Sequence, residues 1–125
     1  MKLLLDTHVF LWAIAQPDKL SAHHTLALET PTNSVFLSSI SVAEIVIKAS
    51  IGKLDADFDI AAAAQAAGFE TLTFSVDAAQ RLKTLPLHHR DPFDRMLIAQ
   101  AMHTGYTLVT VDRKFAAYDC KLLGI

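Results

Sequence analysis

The chain has 125 residues, 52% hydrophobic and 19% charged, which suits one domain with one sizeable core and excludes a disordered segment. A formal net charge of −2 argues against a strongly basic nucleic-acid surface, and no apolar run reaches the length of a membrane span. The lone Cys120 rules out an internal disulfide and a cysteine-built metal site, as expected in a reducing compartment.

In chain order, "KLLL" (2–5) is the first strand candidate. Asp6 and His8 break the apolar run behind it and no small-residue cleavage site follows. The start therefore reads as a buried strand, not a signal segment, and the expected location is cytoplasmic. A helix is predicted over roughly 8–15 and a second near 21–30, starting at Ser21. "SVFLS" (34–38) is a strand, and a helix follows from Ser41 to about Ser50. The Ala-rich "DIAAAAQAAG" is a helix closed by Gly68. "ETLTF" (70–74) is the next strand, "VDAAQRLKT" another helix. Asp91 and Pro92 start a helix that Gly105 ends, followed by the strand "YTLVTV" (106–111) and a final edge strand "KLL" (121–123). No linker or repeat interrupts this order, so residues 1–125 are expected to form a single domain. Strands separated by helices imply parallel pairing and an α/β sheet with helices on both faces.

In open parallel sheets, ligands sit beyond the carboxyl ends of the strands. Asp6 and Asp112 lie at two such ends, and Glu44 and Asp94 are each expected in the first turn of a helix. Every acid also has an ordinary structural explanation. Ser41 and Glu44 fit a capping box, and Glu44 can pair with Lys48 at i+4. Asp6, Asp91 and Asp112 fit helix N-caps. Asp94 fits least well, because it points between Leu97 and Ile98, with Ala101 one turn on, where an uncompensated carboxylate is expensive. Several carboxylates at one sheet edge would shift each other's protonation unless a cation sits among them. An oxygen-only ligand set suits Mg²⁺, with Mn²⁺ as the second candidate. Such an ion can activate water and offset the charge of phosphodiester cleavage. Removing four acids from the count turns −2 into +2, so net charge does not decide the substrate.

"LLLDTHVFLW", "SSISVAEIVIKASIGKL", "RDPFDRMLIAQA" and "LVTVD" resemble the successive acidic motifs of PIN-domain nucleases, and among these the VapC-like toxins of bacterial toxin–antitoxin pairs. The resemblance covers nearly the whole chain in order. It implies an α/β/α sandwich on a parallel sheet of strand order 3-2-1-4-5, and Mg²⁺-dependent endonucleolytic cleavage of RNA. It further implies inhibition by a small antitoxin, and a homodimer for which Met102 is a candidate surface residue. Matched residue by residue, Asp6, Glu44 and Asp94 are the principal metal-binding and catalytic acids, and Asp112 is the fourth. Thr7 and Thr110 stand where a hydroxyl can orient a carboxylate or water, and Asp91 remains the helix cap.

Other candidates carry less. His8, His88, His89 and Arg90 fall near the expected rim, and adjacent histidines without spaced partners read as surface residues. Arg95 and Arg113 follow site acids and can bind RNA or balance charge. Phe10, Leu11 and Trp12 read as core, with an antitoxin helix in an apolar groove as a secondary reading. Two other functions compete. "LLLDTH" also fits the nucleophilic aspartate of a haloacid-dehalogenase phosphatase, although His8 stands where that family needs an acid. A non-catalytic PIN-like scaffold would bind RNA or a partner without cutting, but retention of all four acids argues against it. Phosphate-cradling GxxxxGK[ST] and GxGxxG loops are both missing.

Overall fold

Five parallel strands form one sheet in the order β3-β2-β1-β4-β5 in the computed structural model, which describes residues 1–124. They are β1 (Lys2–Leu5), β2 (Ser34–Ser38), β3 (Glu70–Leu72), β4 (Thr107–Val109) and β5 (Leu122–Leu123). Six α-helices connect them: α1 (Thr7–Ala15), α2 (Ala22–Glu29), α3 (Ser39–Ser50), α4 (Ile60–Ala66), α5 (Val76–Gln80) and α6 (Pro92–Thr104). This is the α/β sandwich expected from the sequence, with the strand order expected from the resemblance. Among the described residues, no helix is long and apolar enough to cross a membrane.

Two-residue periodicity divides the core between the two faces of the sheet. Leu3 and Leu5 of β1 enter a cluster with Val9 and Phe10 of α1, Ile60 and Ala64 of α4, and Phe69. Leu4 points the other way, into a cluster with Leu97, Ile98 and Ala101 of α6, Leu108 of β4, Phe115 and Tyr118. Completely burying a leucine such as Leu4 or Leu97 contributes about 1.5–3 kcal/mol, so a central strand made of leucines secures both layers. Met102 packs against the second cluster. It is half-buried there.

Several boundaries shift for local reasons. The third predicted strand stops at Leu72 and the fourth spans only Thr107–Val109, because pairing ends where the neighbouring strands run out. α3 begins at Ser39, two residues earlier than predicted, because β2 runs straight into it and Ser38 supplies the cap, its hydroxyl accepting the Ile40 N–H at 3.0 Å. The helix predicted over 76–84 tightens after Gln80 into a 3-10 turn, Arg81–Lys83. α6 starts and stops as its sequence dictates. Asp91 accepts the Phe93 and Asp94 N–H groups, Pro92 occupies the first turn, and Gly105 adopts φ 74°, the left-handed turn that closes a helix.

Candidate active site

Asp6 follows the last residue of β1, and its N–H extends the ladder to the Val109 carbonyl of β4 at 2.9 Å. That bond fixes the residue at the carboxyl edge of the sheet, where it is 3% exposed. Asp6 Oδ1 caps α1 by accepting the His8 N–H at 3.0 Å. Its Oδ2 accepts the Thr110 hydroxyl at 2.6 Å, across 104 residues of sequence. The same hydroxyl accepts the Asp112 N–H at 3.0 Å, so Thr110 joins two of the four acids. Asp112 in turn caps a 3-10 turn, Arg113–Ala117, through the Lys114 N–H. For both aspartates the capping explanation holds, and it leaves the second carboxylate oxygen to face the site.

Glu44 departs from the sequence-based expectation. With α3 starting at Ser39, it falls beyond the first helical turn, and no capping box with Ser41 forms. Its carboxylate turns instead towards α1. The Thr7 hydroxyl lies 2.7 Å from Glu44 Oε1 and 2.8 Å from Ser41 Oγ. With a single proton to give, that hydroxyl favours the carboxylate, the stronger acceptor. Lys48 Nζ lies 2.6 Å from Glu44 Oε2, which realises the predicted i+4 pair. This hydrogen bond, together with the Glu44 charge, holds the Lys48 ammonium above its ordinary value.

Asp94 lies in the first turn of α6, as predicted, with the Asp94 side chain 18% exposed. Burial raises its pKa to about 8, helped by the charges of Asp91, Asp6, Glu44 and Asp112. Burial also raises Asp6, against the opposing effects of the Thr110 hydroxyl and the His8 N–H. The four predicted acids therefore share one electrostatic environment at the sheet edge. They do not form one tight cage. Among the described residues, the group whose potential ligand atoms all lie within 4.8 Å of one another is His89, Asp94 and Asp112, with Asp6 and Glu44 outside it.

The family model for the PIN domain matches residues 3–121. The chain belongs to the PIN-domain family. This PIN domain is 29% identical over 118 residues to Ribonuclease VapC22 of Mycobacterium tuberculosis, covering 92% of this chain and 90% of that protein. Its fold matches a chain in the crystal structure of VapBC2 from Rickettsia felis bound to a promoter DNA fragment. There the TM-score is 0.74 and the identity 20%, covering 98% of both chains. DNA-bound VapBC from Salmonella typhimurium gives a TM-score of 0.72 at 21% identity, over 98% of this chain and 97% of that one.

The rest of the PIN domain's edge corrects two expectations. His89 is buried, not a surface residue: its Nε2 lies 3.0 Å from Asp94 Oδ2 and 3.4 Å from Asp112 Oδ2. The available signal was its place two positions before the cap residue Asp91, whose N–H its Nδ1 accepts at 3.2 Å. Arg95 is occupied internally. Its guanidinium donates to the carbonyls of Leu85, Pro86 and His89 and to the Tyr118 hydroxyl, which ties the 85–90 segment to the helix. His88, Arg90 and Arg113 are exposed. Phe10 and Leu11 belong to the core, as expected, while Trp12 is half-buried with Lys19 Nζ 5.9 Å from its ring centroid.

A hard divalent cation fits these residues. The donors are carboxylate oxygens, burial first and the neighbouring acids second raise the Asp94 pKa, and Lys48 pairs with Glu44.

Proposed function

We propose that this PIN domain, taken as a single domain, is a metal-dependent endoribonuclease acting as a toxin and restrained by an antitoxin protein. The observation that carries this reading is Asp94: a carboxyl raised to about 8 by burial and by the charges of four other acids at a parallel sheet's carboxyl edge. Such a group regains its charge when a cation replaces its proton. Relationship to a ribonuclease supports the choice of RNA, and structural likeness to VapBC chains supports an antitoxin partner. The reading includes a homodimer in the cytoplasm.

Asp6, Glu44 and Asp94 are the residues we assign to hold Mg²⁺ or Mn²⁺, with Asp112 beside them. When bound, the ion supplies Lewis acidity that activates water and offsets phosphodiester charge. The protein's own part is orientation. Thr110 fixes the Asp6 carboxylate and Thr7 fixes that of Glu44, each through a short hydrogen bond. Lys48 holds the second Glu44 oxygen and presents a cation beside the site, where a phosphate can approach it.

The test is incubation of the purified chain with structured and single-stranded RNA in Mg²⁺, in Mn²⁺ and in chelator. Cleavage that chelator abolishes and metal restores is expected, together with growth arrest on expression that a co-expressed cognate antitoxin relieves. Binding without metal-dependent cleavage on any RNA overturns the reading in favour of the scaffold.

A further inference from the structure

Each carboxylate at the sheet edge needs a donor that chooses its rotamer, because a buried acid with no fixed partner has several orientations of similar energy. Asp6 has the Thr110 hydroxyl and the His8 N–H, and Glu44 has Thr7 and Lys48. Asp94 and Asp112 share the His89 ring, whose Nε2 hydrogen-bonds Asp112 Oδ2 at 3.4 Å and lies 3.0 Å from Asp94 Oδ2.

His89 is itself held from several directions. Its N–H donates to the Tyr118 hydroxyl at 2.8 Å, and its carbonyl accepts from Arg95 at 3.3 Å. The ring packs edge-on against Phe115, with centroids 5.7 Å apart. Most informative is Nδ1, which accepts the Asp91 N–H at 3.2 Å. A neutral imidazole that accepts at Nδ1 carries its proton on Nε2. Nε2 is the nitrogen 3.0 Å from Asp94 Oδ2, and a protonated nitrogen donates a hydrogen bond but has no lone pair for a metal.

We propose that His89 is a positioning residue of the acidic cluster: its Nε2–H donates to Asp112 Oδ2 at 3.4 Å while the same nitrogen lies 3.0 Å from Asp94 Oδ2, so that one ring holds both carboxylates in place for the cation. The inference rests on the metal-dependent reading above and adds a residue outside the four acids. It makes the cap residue Asp91 part of the same device, since the Asp91 N–H sets the tautomer while its carboxylate starts the helix that carries Asp94. It also gives the Arg95–Tyr118 network a purpose, because that network holds the histidine where its ring reaches the acid.

The experiment is Mn²⁺ titration of the full chain, followed through the electron spin resonance of the free ion, with thermal unfolding as the control for folding. His89→Ala is expected to weaken Mn²⁺ binding about 10–100-fold, as loss of a carboxylate's supporting partner does. His89→Gln, whose amide offers an N–H at similar reach, is expected to recover binding to within a few-fold of wild type. His89→Leu keeps the bulk without the donor, and replaces the alanine variant if that one does not fold. The spin-echo spectrum of the wild-type Mn²⁺ complex is expected to lack a directly bound imidazole nitrogen. Unchanged binding in folded His89→Ala or His89→Leu overturns the proposal. So does a glutamine variant as weak as the variants without a donor, or a nitrogen coupling that shows His89 to be a ligand. Wild-type protein that binds no Mn²⁺ overturns instead the metal reading beneath it, so the two failures are distinct.

Discussion

The interior of the sheet and its carboxyl edge are equally hidden from water and chemically opposite. Leu3, Leu4 and Leu5 of β1 are fully buried, and the next two residues, Asp6 and Thr7, are buried nearly as deeply. In the interior, burial itself stabilises, because apolar area leaves water. At the edge, burial penalises the charged groups, and the chain offsets only part of that cost through hydroxyls from Thr7 and Thr110 and the ammonium of Lys48. Burying acids at the edge gives up stability, a trade common at functional sites.

Substitutions can break this contrast, and the largest expected effect is on chemistry. Asp6→Asn or Asp94→Asn is expected to lower RNA cleavage on the order of a thousand-fold or more, since metal assistance is worth several kcal/mol. Thermal unfolding of the metal-free protein should show neither variant to be less stable than wild type by more than a small margin. Cleavage at wild-type rates in either variant, with metal still required, removes that residue from the site. Leu108→Ala in the interior is the converse case. It is expected to cost about 2–5 kcal/mol in denaturant unfolding, with cleavage per folded molecule retained.

The pH dependence separates the two regions more finely. Asp94, raised to about 8, keeps a proton in the folded metal-free protein that the unfolded chain has released above its ordinary value of 3.8. The folded state therefore binds more protons in that window. The contribution of this group to stability is complete below pH 4 and declines as pH rises towards 8. Melting temperatures of metal-free protein measured from pH 5 to pH 9 should fall along that slope, and Asp94→Asn should flatten it. An identical slope in the variant would show that the carboxyl is not the titrating group.

The smallest expected effect lies three residues away. Asp91→Ala removes the cap but leaves the backbone N–H that reaches His89. It should cost about 1 kcal/mol, with cleavage largely retained. Loss of cleavage equal to that of Asp94→Asn would erase the distinction between cap and site acid.

Much of this was legible in the sequence, for reasons that differ by residue. Pro92 and Gly105 announce the ends of α6 because their backbone preferences act within a few residues. Asp94 stood out because a carboxylate between Leu97 and Ile98 violates the helix's own pattern. Glu44 was misplaced along its helix: α3 starts earlier than expected, and the serine offered as its capping-box partner lies instead beside Thr7. His89 and Arg95 were misjudged because neither local periodicity nor turn chemistry says what the tertiary fold brings against a loop histidine or a helix-borne arginine. Their partners, Asp112 and Tyr118, are more than twenty residues away in the chain.

By itself, the sequence determined the alternation of strands and helices, the leucine-built central strand and the caps at Asp6, Asp91 and Asp112, because caps and periodicity are short-range properties. Only the tertiary structure decided which donor serves each acid. Thr110 meets Asp6, Thr7 meets Glu44 and His89 meets Asp94 only after parallel pairing and the crossover helices bring distant segments to one edge. The deciding contacts are hydrogen bonds a few ångströms long, and a shift of one helical turn would exchange one partner for another.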